Sequence, residues 1–228
     1  MHMEYEISGK VMQAVTLKLT SGETVVTQAG GMTWMTDNFR METNMSGGLF
    51  GGLKRAFSGE SMFLTRYTCA GYEGQIAFSA GFPGNIVPLH LQPGQQVVCQ
   101  KGAFLCSEDT VKLDMHFRKK LAGGLFGGEG FILQTLTGPG LAFLEIDGEV
   151  IERNLEPGEV IKVDTGHVAI FEPSVSFDVE MVKGLSNWFF GGEYFFAVLR
   201  GPGRVWLQTM PVINLAQKIM PFIPDHSN

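Results

Sequence analysis

The chain has 228 residues, of which 30 are glycine, about 13% against an average of about 7%; 44% are hydrophobic, only 18% are charged, and the formal net charge is −6. A disordered chain would carry more charge and fewer apolar residues, and a collagen-like one would place Gly at every third position. Long helices are excluded too, since each interior glycine costs about 1 kcal/mol relative to alanine, which leaves a globular protein of strands and turns.

Residues 1–6, Met-His-Met-Glu-Tyr-Glu, show neither a basic region followed by an apolar stretch nor the Arg-rich pattern of a transit peptide. No apolar run approaches the roughly 18 residues of a membrane helix. The expectation is a cytoplasmic protein. The odd set of Cys69, Cys99 and Cys106, with no C-x-x-C, fits reduced and buried thiols.

The first strand-and-turn signal is Leu19-Thr20-Ser21-Gly22-Glu23-Thr24-Val25. Met32–Thr36 and Phe39–Thr43 read as strands, followed by Gly47-Gly48-Leu49-Phe50-Gly51-Gly52, an insertion at 53–58, and Gly59-Glu60 before an apolar run. The same order then returns. Leu91-Gln92-Pro93-Gly94-Gln95-Gln96-Val97 opens a second unit, Val111–Arg118 alternates in polarity, and Gly123-Gly124-Leu125-Phe126-Gly127-Gly128-Glu129 precedes Phe131–Gly140. A third opening, Leu155-Glu156-Pro157-Gly158-Glu159-Val160-Ile161, leads to His167–Glu172, which reads as a strand. Val175–Met181 alternates with period two, the mark of a half-buried strand. Asn187-Trp188-Phe189-Phe190-Gly191-Gly192-Glu193 and Phe195–Gly203 complete the unit. A further glycine follows each turn glycine at the same distance: Gly30, Gly102 and Gly166. Three landmarks in one order, three times, point to triplication. The boundaries that follow are 1–82, 83–146 and 147–210, with a tail at 211–228. In that tail Asn214–Met220, between Pro211 and Pro221, predicts a short helix.

The Gly-rich loops lack the Lys-Ser/Thr of a phosphate loop and open no G-x-G-x-x-G helix. Their apolar residues, Leu49, Phe50, Leu125, Phe126, Phe189 and Phe190, fit a core plug, an oligomer contact or a ligand contact. Glu60, Glu129 and Glu193 hold equivalent positions, and around a pseudo-threefold axis they would form a carboxylate ring; at the periphery they would simply be solvated. The five histidines include no H-x-H and no H-E-x-x-H, so no metal or other cofactor is expected. Arg118, Lys119 and Lys120 form the one compact basic run, either a solvated turn or an anion contact. The negative net charge argues against nucleic acid as a partner.

Taken together, the Leu-x-Pro-Gly-Glu openings, the Gly-Gly-Leu-Phe-Gly-Gly and Trp-Phe-Phe-Gly-Gly motifs, and the Gly-Pro-Gly-Arg-Val-Trp-Leu-Gln-Thr segment at 201–209 resemble one family over nearly the whole chain. It is known as domain of unknown function 124, or Altered Inheritance of Mitochondria 24. The resemblance implies an all-β fold similar to the tryptophan RNA-binding attenuation protein (TRAP). That means three tandem antiparallel β-sandwich, jelly-roll-like repeats in pseudo-threefold arrangement and a short C-terminal helix. It brings no catalytic residues. The expected function is a non-enzymatic, self-associating ring-like scaffold or assembly factor, with three chains completing nine units. The alternatives are a small-ligand or RNA-binding module, by fold analogy, and an enzyme whose motif is not legible.

Overall fold

The computed structural model of the chain describes residues 3–28, 30–45, 63–119, 131–181 and 195–223. Among these residues the protein is all-β, in four antiparallel sheets, with one α-helix. They fall into two compact units. The first comprises the described residues up to Gln96 with Gly102–Met115 and Thr135–Ile146; the second comprises Val97–Lys101, His116–Gln134 and the residues from Asp147 on.

The first unit contains β1 (Glu4–Ser8), β2 (Ala14–Thr20), β3 (Thr24–Gln28), β4 (Met32–Met35), β5 (Phe39–Met45), β6 (Phe63–Cys69), β7 (Glu73–Ser79), β8 (Gly84–Leu91), β10 (Phe104–Glu108) and most of β13 (Gly140–Asp147). They form two sheets, ordered β1-β2-β7-β4 and β5-β6-β3-β10-β13-β8. Strand β2 shows why: Val15, Leu17 and Leu19 are fully buried while Thr16, Lys18 and Thr20 between them are not. Side chains in a strand alternate between faces, so period-two hydrophobicity buries one face. Each such Val or Leu contributes about 2 kcal/mol by leaving water. They pack with Ile76, Phe78, Leu141 and Phe143.

The second unit is built on a sheet ordered β11-β12-β9-β16-β19-β14 and a three-stranded sheet β15-β18-β17. Its strands are most of β9 (Gln96–Gln100), the second half of β11 (Lys112–Lys119), the first part of β12 (Phe131–Thr137), and all of β14 (Val150–Leu155), β15 (Val160–Asp164), β16 (Val168–Phe171), β17 (Ser176–Met181), β18 (Phe195–Arg200) and β19 (Gly203–Gln208). Phe131, Leu133, Phe171, Ala197, Leu199 and Val205 form its core. The helix α1 (Val212–Ile219) starts directly after Pro211, two residues earlier than the sequence suggests, and runs into a 3-10 turn at Met220–Phe222.

The three opening motifs fold alike. Gly22, Gly94 and Gly158 have φ of 85°, 76° and 85°, a left-handed conformation that glycine adopts without penalty. The residue after each donates its N–H back across the turn: Glu23 to Thr20 O, Gln95 to Gln92 O and Glu159 to Glu156 O, at 3.0, 2.9 and 2.9 Å. Its side chain accepts the N–H in return, Thr20 N to Glu23 Oε2 at 2.6 Å, Gln92 N to Gln95 Oε1 at 2.9 Å, and Glu156 N to Glu159 Oε2 at 3.0 Å. This explains why each motif carries Glu or Gln there. Gly138 and Gly201 pass so close to these turns that a Cβ would run into the carbonyls of Gln92 and Glu156.

His167, read as the start of a strand, lies instead in a 3-10 turn at Thr165–His167. Asp164 Oδ1 takes the Gly166 N–H at 3.0 Å, and the strand begins one residue later.

Candidate assembly edges and an apolar cleft

Each six-stranded sheet has a junction at its middle. In the first unit β3 pairs with β10, Cys106 opposite Thr27 and Ser107 opposite Val26. In the second unit β9 pairs with β16, Ile170 opposite Cys99 and Phe171 opposite Val98. Both junctions obey one register: the fifth residue after one turn glycine faces the twelfth residue after the next. The strands that hold the twelfth residue after Gly22 and the fifth after Gly158, β4 and β15, both stand at sheet ends, as do β1, β5, β8, β11, β14 and β17 among the described residues.

An open strand edge offers unpaired N–H and C=O groups to any passing strand, and proteins guard such edges with charge or proline. Here β8 carries Pro88 and β1 carries Glu4 and Glu6, while β5 carries Arg40 and Glu42, β14 Glu152 and Arg153, and β17 Asp178 and Glu180. The sequence of β4, Met-Thr-Trp-Met, carries neither, and Trp34 on it is 44% exposed. On β15, Val160 is exposed to the same degree and Lys162 is held sideways by Glu180 at 2.7 Å.

Beside the β9–β16 junction the second unit has a cleft of about 240 Å³. Val98, Leu133, Phe171 and Val175, all buried, form its floor. Phe177 makes one wall, and His116, Pro173 and Ser176 stand at the exposed rim. Phe177 stacks on two rings, 5.3 Å from Phe131 and 5.7 Å from Phe171.

A polar network fastens α1. Asp147 Oδ2 accepts the Val212 N–H at 2.9 Å, serving as a cap for the helix start from a distant strand. Burial pushes the Asp147 carboxyl above its ordinary range, and the Val212 hydrogen bond pulls it partly back. Gln208 Nε2 donates to Gly166 O at 2.7 Å, and its Oε1 accepts from Asp147 N at 3.1 Å. Asn214 Nδ2 lies 3.3 Å from His167 Nε2, and His167 Nδ1 lies 2.6 Å from Gln208 O. With Asn214 as donor, the imidazole carries its proton on Nδ1.

The candidate residues Leu49, Phe50, Leu125, Phe126, Phe189 and Phe190 lie outside the described residues, as do Glu60, Glu129, Glu193 and Lys120. Arg118 and Lys119 end β11. The three cysteines are free and buried. Burial pushes the Cys99 thiol up to about 12 and raises Cys106 as well, which keeps both in the thiol form that is neither nucleophile nor metal ligand. Among the described residues no group of three or more His, Cys, Asp and Glu could hold a metal ion. No helix there is long and apolar enough to cross a membrane. The bare edge of β4 and the cleft were not singled out from the sequence. The signals were there: a strand without charge or Pro, and the run Phe171, Val175, Phe177.

Comparison with known proteins agrees with this architecture. An uncharacterized protein of Streptococcus pyogenes serotype M6 is 28% identical over 222 residues, covering 94% of this chain and 88% of its own. The X-ray crystal structure of a Streptococcus pyogenes protein superposes with a TM-score of 0.80 at 26% identity, covering 97% of this chain and all of that one. The family described as Mitochondrial biogenesis AIM24 matches residues 5–210, and the chain belongs to it.

Proposed function

We propose that the protein is a non-enzymatic, self-assembling β scaffold of the cytoplasm. It consists of three tandem TRAP-like units, and copies join edge to edge, β15 of one chain to β4 of the next. The observation that carries this reading is the bare edge of β4 with its exposed Trp34. The shared register of the two internal junctions supports it. Continued across chains, that register sets Val163 opposite Trp34 and Lys162 opposite Met35 of the neighbouring copy. Such a contact is heterologous, and it must close into a ring or grow without limit. Three chains give nine units. The free thiols fit a reducing compartment.

Native mass spectrometry tests the assembly. The expected result is a species of three times the 25.0 kDa chain. Trp34→Lys, which guards the edge, should return it to single chains. A wild-type protein that stays monomeric at micromolar concentration removes the proposal.

A further inference from the structure

The cleft of the second unit is independent of the strand edges. Its floor of Val98, Leu133, Phe171 and Val175 is apolar, and no Lys, Arg, Asp or Glu lines it. The cleft opens to solvent, and its volume of about 240 Å³ gives room for a molecule of one ring. Polarity is confined to one end, where His116 and Ser176 stand at the rim. Phe171 and Phe177, which stack on each other 5.7 Å apart, both line the hollow.

The other junction carries different side chains at the matching positions. There Ser107 stands where Phe171 does in the matching register. Two residues further on, Asp109 takes the place of Pro173 and binds Arg66 at 2.7 Å. At these two positions the pairing is thus polar at one junction and apolar at the other, although Val25 and Cys106 are buried at the first and Glu172 pairs with Arg204 beside the second.

We infer that the cleft is a binding site for a small uncharged aromatic molecule of one ring. Its single hydroxyl or carbonyl points outward to His116 and Ser176, and the ring lies on the floor against Phe177. Ligand pockets share this build, mostly apolar with a few polar groups that fix orientation.

The test is titration of the full chain with p-cresol, followed by NMR of the aromatic and methyl signals and by calorimetry, with toluene and 4-methylbenzoate as companions. The expected result is saturable binding of p-cresol at one site per chain, several-fold weaker for toluene and at least tenfold weaker for the benzoate. Ser176→Trp, an exposed substitution that fills the mouth, should weaken p-cresol binding at least tenfold while the circular dichroism stays unchanged. Phe177→Ala, which removes one wall, gives a second reading and should weaken it about fivefold. No saturation up to the solubility limit of p-cresol overturns the proposal. So does binding that both variants leave unchanged, or a preference for the benzoate. Assembly, read by mass, is a separate measurement, so failure here leaves the edge-pairing proposal standing, and the reverse holds.

Discussion

The two sheet junctions share a strand order and a register yet differ in what fills them. At β3–β10 Val25 and Cys106 belong to the core, but three positions are polar: Thr27 Oγ1 donates to Leu105 O at 2.6 Å, Ser107 is buried, and Arg66 meets Asp109. At β9–β16 the matching positions hold Cys99, Phe171 and Pro173, and the floor beside them is hydrocarbon. Backbone pairing therefore sets the architecture in both, while the side chains decide whether the seam is held by hydrogen bonds or by packing. A packed seam is stronger per residue, because fully burying a Phe contributes about 2–3 kcal/mol against about 1 kcal/mol for a net hydrogen bond.

The largest effect should come from breaking the packed seam. Phe171 is 1% exposed and contacts Phe177. Phe171→Ala should cost about 3–5 kcal/mol through lost burial and the cavity left behind. Ser107→Ala, at the matching position of the polar seam, removes only a bond to Glu108 O at 3.0 Å and should cost about 1 kcal/mol or less. Urea unfolding of the two variants side by side reads the contrast. Equal losses would mean that the two seams are not distinguished by packing.

A gentler substitution makes the polar seam resemble the packed one. Thr27→Val keeps the shape of a buried side chain but deletes the hydroxyl that donates to Leu105 O. The expected cost is about 1 kcal/mol, seen as a fall in Tm of about 2–4 °C for a chain of this size. No change would show that the seam is held by the ladder bonds alone.

How much of this was legible in sequence depended on range. The turns at Gly22, Gly94 and Gly158 were readable because everything they need lies within four residues: a glycine at positive φ and a Glu or Gln reaching back three positions. The alternation of β17 and the tail helix were equally local. The His167 turn was missed because Asp164 competes for a backbone N–H that a strand would otherwise use. Strand β1 gave no signal, since Glu4, Tyr5 and Glu6 bury little and are held by pairing with β2. The junctions, the bare edge and the cleft depend on which strand lies beside which. No local pattern states that Thr27 will face Cys106, so these features emerge only once the sheets are assembled.

The smallest effect belongs to the ion pair that spans the polar seam. Arg66 Nη2 and Asp109 Oδ2 are 2.7 Å apart, but their side chains remain 36% and 40% exposed. Water competes for both charges, and holding two side chains in one geometry costs entropy, so an exposed pair of this kind contributes about 0.5 kcal/mol or less. Arg66→Ala should therefore lower stability by that amount at low salt. Because exposed charges are screened within about 10 Å at 0.1 M ionic strength, the difference from wild type should shrink as salt rises. In the packed seam, where Pro173 stands in place of Asp109, the corresponding position has no charge to screen. If the Arg66→Ala deficit persists undiminished at 1 M salt, the guanidinium acts by packing over β6, and the two seams are more alike than their side chains suggest.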